Sequence, residues 1–132
     1  MDRLFLDANI LFSAAYRPDA GVTRLWRLPD AVLLTCDYAI EEARRNLSEP
    51  DQLERLDELL QSVQSSPAAS LDPALRADIE LPEKDWPILG GAVEAGATHL
   101  ITGDLRDFGP YLSTKLLGVM ILRPAEYLHS AT

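Results

Sequence analysis

Two short apolar runs each end in acidic residues. Leu4-Phe5-Leu6 leads into Asp7-Ala8-Asn9, and Leu100-Ile101-Thr102 leads into Gly103-Asp104-Leu105-Arg106-Asp107. In open parallel sheets the functional crevice lies beyond the carboxyl ends of the strands, so two acid-tipped strands lying side by side would aim their carboxylates into one pocket. At an effective dielectric near 20, two carboxylates about 4 Å apart repel by roughly 4 kcal/mol. Such a cluster takes up protons or a cation, and a hard divalent ion suits oxygen ligands. Thr102-Gly103-Asp104 places a hydroxyl, a permissive turn and an acid in succession. Asp107, one helical turn beyond Asp104, either joins the cluster or starts the turn before Phe108-Gly109-Pro110.

Two further acids lie on helical segments. Over Tyr38 to Leu47, residues Ala39, Ile40, Ala43 and Leu47 recur at helical spacing and define one packed face. Glu41 has Arg45 four residues on, an arrangement that predicts a surface ion pair. Glu42 is nearer the packed stripe and has Asn46 at that spacing, which makes it the better site candidate. Asp85, in Pro82-Glu83-Lys84-Asp85-Trp86-Pro87, reads as a helix N-cap. Capping needs one carboxylate oxygen and leaves the other for a metal. Asn9 is likewise a helix cap or an orienting group, a role also open to Thr102. The basic residues closest in sequence to these acids are Arg44, Arg45, Lys84 and Arg106, which are either phosphate contacts or solvated surface charges.

The elements that must position these groups alternate between short apolar runs and longer amphipathic ones, the signature of βαβ units. Strands are expected at Leu4 to Leu6, Val32 to Thr35, His99 to Thr102 and Val119 to Leu122, with a further short one before Pro67. Helices are expected at Asn9 to Ala15, Thr23 to Arg27, Tyr38 to Asn46, Asp51 to Gln64 and Trp86 to Ala95, and a short one opening at Pro124, a residue suited to a first helical turn. Ser62 to Pro73, rich in Ser, Ala and Pro, reads as a loop within one fold, since candidate site residues lie on both sides of it. Gly90 and Gly91 each cost roughly 1 kcal/mol relative to Ala in a helix, which predicts close packing against the sheet, and Gly96 supplies the helix stop.

A length of 132 residues with 47% hydrophobic content fits one domain over residues 1–132. No apolar stretch approaches the roughly 20 residues of a membrane span, and Met1-Asp2-Arg3 runs straight into a strand, so a cytoplasmic protein without membrane association is expected. The single cysteine, Cys36, excludes an internal disulfide and reads as a small buried residue. His99 and His129 lack a second histidine at ligand spacing, which disfavours zinc. Twelve Lys plus Arg against 21 Asp plus Glu give a net charge of −9, which argues against tight sequence-independent nucleic-acid binding. Cutting nucleic acid remains compatible with that charge where metal neutralises the carboxylates.

Taken together, these residues resemble the PIN domain, a small metal-dependent nuclease fold found in many bacterial toxin components. The likeness covers nearly the whole chain. It rests on Asp7-Ala8-Asn9, on Glu42 five residues before Leu47, on Asp85 within Leu81 to Leu89, on the run Ala95 to Gly109, and on Ile121-Leu122-Arg123-Pro124-Ala125-Glu126-Tyr127-Leu128. Gly90-Gly91 departs from the alanines more usual in one subgroup. The resemblance implies a three-layer α/β/α sandwich, Rossmann-like, around a mainly parallel sheet of about five strands. It implies Mg²⁺ or Mn²⁺ held by Asp7, Glu42, Asp85 and Asp104, with Asp107 as a further ligand. Hydrolysis of RNA, in particular single-stranded RNA, would follow by attack of a metal-activated water and leave a 5′-phosphate and a 3′-hydroxyl. It also implies a homodimer and, for the toxin of a toxin–antitoxin pair, an antitoxin partner. Two other classes are weighed beside it. One is a non-catalytic module of the same fold that binds RNA or protein. The other is a haloacid-dehalogenase-type phosphatase, which needs a second Asp where this chain has Asn9 and spaces its late acids one residue wider than Asp104 and Asp107.

Overall fold

The computed structural model describes residues Met1 to Ala131; Thr132, the last residue of the expected domain, lies outside the described residues. A six-stranded sheet has the order β3-β2-β1-β4-β6-β5. Its strands are β1 (Asp2–Leu6), β2 (Ala31–Cys36), β3 (Val63–Ser66), β4 (His99–Ile101), β5 (Lys115–Leu116) and β6 (Val119–Leu122). Every pairing is parallel except the β5–β6 hairpin. The helices are α1 (Ala8–Tyr16), α2 (Asp37–Asn46), α3 (Pro50–Leu60), α4 (Trp86–Glu94) and α5 (Pro124–Ala131). Together they form the expected three-layer α/β/α arrangement.

Strand sequences account for the layering. Leu4, Phe5 and Leu6 of β1 and Leu100 and Ile101 of β4 are all fully buried. Consecutive buried residues, rather than alternate ones, are what a strand needs when both faces of its sheet are covered. The register Leu4↔His99, Phe5↔Leu100, Leu6↔Ile101 sets the ends of β1 and β4 side by side. Strand order reverses between these two strands: β2 and β3 lie on one side, and β6 and β5 on the other. The place where connections diverge is the natural crevice of such a sheet.

Helix α4 is buried from Trp86 to Ala92 apart from Pro87. Gly91 makes that possible, because a Cβ there would stand 2.8 Å from Phe5 Cζ and 3.6 Å from the Cβ of buried Cys36. Gly90 differs from expectation: its neighbour is a loop, with Ala69 O in the space a Cβ would need. Gly96, at φ +68°, ends the helix, and Ala97 N–H donates to Ala92 O at 2.9 Å.

Other departures from the sequence reading are local. The helix expected to run to Gln64 stops at Leu60, and Val63–Ser66 pairs with β2 as an edge strand, so part of the expected Ser62 to Pro73 loop is sheet. The segment Gly21–Arg27 is a 3₁₀ helix rather than an α-helix. A sixth, two-residue strand joins the five expected, too short to carry a periodic signal. Among the described residues no helix is long and apolar enough to cross a membrane.

Candidate metal centre

Asp7 follows β1 directly and is only 4% exposed. Its N–H donates to Ile101 O at 3.1 Å, which extends the β1–β4 ladder by one residue and fixes the backbone. Asp7, not Asn9, caps α1, its Oδ1 accepting from Ala8 N–H at 2.7 Å. Asp7 Oδ2 accepts from the Thr102 hydroxyl at 2.8 Å and from Asn9 Nδ2 at 3.3 Å. Asn9 instead bridges the two strand ends, because its Oδ1 accepts from Gly103 N–H at 2.8 Å. A Cβ on Gly103 would lie 3.2 Å from that oxygen, so the approach favours glycine.

The second strand end is organised by Thr102, which is fully buried. Its Oγ1 accepts from Asp104 N–H at 3.0 Å while its proton goes to Asp7. Asp104 folds back on its own loop, Oδ1 accepting from the N–H groups of Arg106 and Asp107 at 3.0 Å each. Asp107 closes the turn that Asp104 opens and does not start one before Phe108. Its backbone joins the turn, and its carboxylate, with those of Asp85 and Asp104, offers oxygen atoms that all lie within 4.8 Å of one another.

Asp85 arrives on a short 3₁₀ turn, Glu83–Asp85, that runs into α4. The turn places Asp85 in helical backbone, φ −97° and ψ −11°, with no capping bond from its side chain, so the expected N-cap is absent. Asp85 is 6% exposed, and its Oδ2 is a buried oxygen without a hydrogen-bond partner. Leaving such an acceptor unmade is costly. A cation, or a proton shared with Asp107, is the partner that a carboxylate oxygen aimed among other carboxylates would accept.

A cavity of about 360 Å³ opens on this cluster, lined by Asp7, Asn9, Phe12, Glu42, Asn46, Lys84, Asp85 and Asp104 among others. Helix α2 brings Glu42 to it, half-buried, while Glu41 faces solvent. Glu41 and Arg45 form no ion pair among the described residues; the pair on this helix joins Arg44 to Asp57 of α3 at 2.6 Å. Asn46 lines the cavity one turn on, its Nδ2 donating to Glu42 O at 2.9 Å. The spacing from Glu42 was its only sequence signal. Of the four basic candidates, Lys84 alone lines the cavity. Its Nζ lies 3.0 Å from Asp107 Oδ2 and 3.9 Å from Asp85 Oδ2. Arg44, Arg45 and Arg106 are exposed and outside it.

Electrostatics reflect this crowding. Burial pushes the Asp7 carboxyl up to about 6, opposed by the bonds from Thr102 and Ala8 and reinforced by the charges of Glu42 and Asp104. Asp85 rises to about 7, first through burial and then through Asp107 beside it. Asp107 moves the other way, held down chiefly by the Lys84 ammonium. The more buried partner retains the proton, as expected when desolvation penalises charge. The three converging carboxylates of Asp85, Asp104 and Asp107, one of them with an orphaned oxygen, make a donor set that fits a hard divalent cation.

No family model matches the chain, and no curated protein does. Solved structures of similar fold include VapBC2 from Rickettsia felis bound to a DNA fragment from its promoter, at 15% identity, covering 92% of this chain and 98% of that chain with a TM-score of 0.68. FitAcB from Neisseria gonorrhoeae matches at 18% identity over 92% and 98% of the two chains, TM-score 0.56. FitAB bound to an IR36 DNA fragment matches at 15% identity over 92% and 94%, TM-score 0.54. At these identities the likeness is one of fold, and this chain has the α/β/α fold of chains in those complexes.

Proposed function

We propose that this chain is a PIN-like, metal-dependent endoribonuclease and the toxin of a toxin–antitoxin pair. The observation that carries the reading is the buried Asp85 Oδ2, without a hydrogen-bond partner within a cluster of carboxylates from two distant segments. Asp85, Asp104 and Asp107 would hold Mg²⁺ or Mn²⁺, with Asp7 and Glu42 on the same cavity reaching it directly or through water. When bound, such an ion supplies Lewis acidity and an activated water for phosphodiester hydrolysis.

The protein's own groups prepare for that chemistry. Thr102 and Asn9 fix the Asp7 carboxylate and tie β1 to the loop after β4. The Asp104 turn fixes one oxygen and leaves the other for the cavity. Glu42 and Asn46 form the α2 wall of the cavity. An open cavity of this size admits a flexible strand more readily than a duplex, which supports single-stranded RNA as substrate. Fold likeness to the VapBC2 and FitAB structures supports an antitoxin partner, and the homodimer follows from the PIN resemblance alone. A net charge of −9 and a carboxylate-lined crevice support the toxin rather than the promoter-binding half of such a pair.

The test is cleavage of single-stranded RNA with Mg²⁺ or Mn²⁺, against EDTA, beside an identically purified Asp7→Asn protein. Metal-dependent cleavage lost in the variant supports the reading. Cleavage that survives both EDTA and the substitution overturns it.

A further inference from the structure

We propose that the Lys84 ammonium is a built-in, displaceable cation of the metal cluster, seated on Asp107 when the site is free of metal and driven off when a divalent ion enters. The inference rests on the metal reading above and assigns Lys84 a role toward the metal in place of a fixed phosphate contact.

Three observations carry it. The ammonium sits 3.0 Å from Asp107 Oδ2 and 3.9 Å from Asp85 Oδ2, so it touches two of the three carboxylates whose oxygens lie within 4.8 Å of one another. Asp85 Oδ2 still lacks a hydrogen-bond partner on a side chain only 8% exposed, so the ammonium neutralises the cluster only in part. The Lys84 side chain is 61% exposed, so solvent is open to the ammonium once it leaves Asp107.

A divalent ion shared by Asp85, Asp104 and Asp107 would lie within a few ångströms of the ammonium, and two cations at that range repel strongly. Lys84 must then leave Asp107 or the ion must bind more weakly. Either way the side chain competes with metal. Once displaced it remains tethered at the cavity wall, next to Asp85, where an anionic substrate would meet it.

Calorimetric titration of Mn²⁺ into the parent protein and Lys84→Gln tests this at pH 7.5. Removing the competitor should tighten Mn²⁺ binding on the order of tenfold. Equal or weaker binding in the variant overturns the proposal. Should Lys84→Gln fail to fold, the parent alone answers through acylation. Lys84 and Lys115 are the chain's two lysines, so the modification of Lys84 relative to Lys115, read by mass spectrometry, is internally referenced. Mn²⁺ should raise that ratio several-fold over EDTA, and an unchanged or lower ratio overturns the proposal. A parent that binds no Mn²⁺ refutes the metal reading itself, whereas a parent that binds it without these responses refutes only the role of Lys84.

Discussion

Replacing Asp7 by Asn should stabilise the metal-free protein near neutral pH and abolish its stabilisation by metal. Folding raises the Asp7 carboxyl from 3.8 to about 6, chiefly through burial. Between those values the folded protein keeps a proton that the unfolded chain has lost, so stability falls as pH rises through this window. A rise from 3.8 to about 6 makes the full penalty about 3 kcal/mol above pH 6. An asparagine carries no charge and keeps an acceptor for Ala8 N–H, but its amide nitrogen accepts from neither the Thr102 hydroxyl nor Asn9 Nδ2 and must donate to Thr102 instead, at a cost of about 1 kcal/mol. Asp7→Asn should therefore gain about 2 kcal/mol at pH 7.5 in EDTA, roughly 6 to 8 °C in melting temperature. At pH 5.0, where Asp7 is mostly protonated in the folded state, the gain should shrink below about 1 kcal/mol. Excess Mn²⁺ should raise the melting temperature of the parent and leave the variant unmoved. The assay is thermal unfolding of both proteins at two pH values, with EDTA and with Mn²⁺. A variant less stable than the parent by the same margin at both pH values in EDTA would show that burying the Asp7 charge carries no such penalty.

The affinity of the parent for Mn²⁺, measured by calorimetry, should rise between pH 5.5 and 7.5, because Asp7 near 6 and Asp85 near 7 must release protons to bind; a flat profile would remove both from the site. Thr102→Val preserves shape but removes the donor to Asp7 and the acceptor for Asp104 N–H, so Mn²⁺ binding should weaken about tenfold and stability fall by about 1 to 3 kcal/mol in denaturant titration. Glu42→Gln should reduce RNA cleavage at least about tenfold whereas Glu41→Gln should not, since only Glu42 lines the cavity. Gly91→Ala should destabilise by about 1 to 2 kcal/mol through the Phe5 ring, with Gly21→Ala near neutral because nothing lies within 4 Å of its added Cβ.

Much of this architecture is legible in the sequence because β1 and β4 are covered on both faces, which forces continuous apolar runs and makes Asp7 and Thr102 their visible ends. Glu42 is separated from Glu41 by the same logic, since helix periodicity alone turns it toward the packed face. What sequence hides is which local alternative wins. Asp85 stands in a good N-cap context, but the 3₁₀ turn before it supplies helical backbone, frees its carboxylate and buries it. Asn9 cedes the cap to Asp7 because, besides Asp7 itself, it bonds Thr102 and Gly103 at the end of the neighbouring strand, 93 and 94 residues away. Lys84 cannot be told from a surface lysine until Asp107 is folded against it. Edge strand β3 is blurred by the helical pattern running into it, and two-residue β5 exists only through its pairing with β6.

Carboxylates from the loop after β4 and the turn before α4 are expected to share one divalent ion. Anomalous diffraction from crystals equilibrated with Mn²⁺ tests it most directly. A peak within direct ligand distance of oxygens from Asp85, Asp104 and Asp107, absent in Asp104→Asn crystals, is the predicted result. Manganese bound elsewhere, or these three carboxylates free of it at saturating Mn²⁺, would contradict the account.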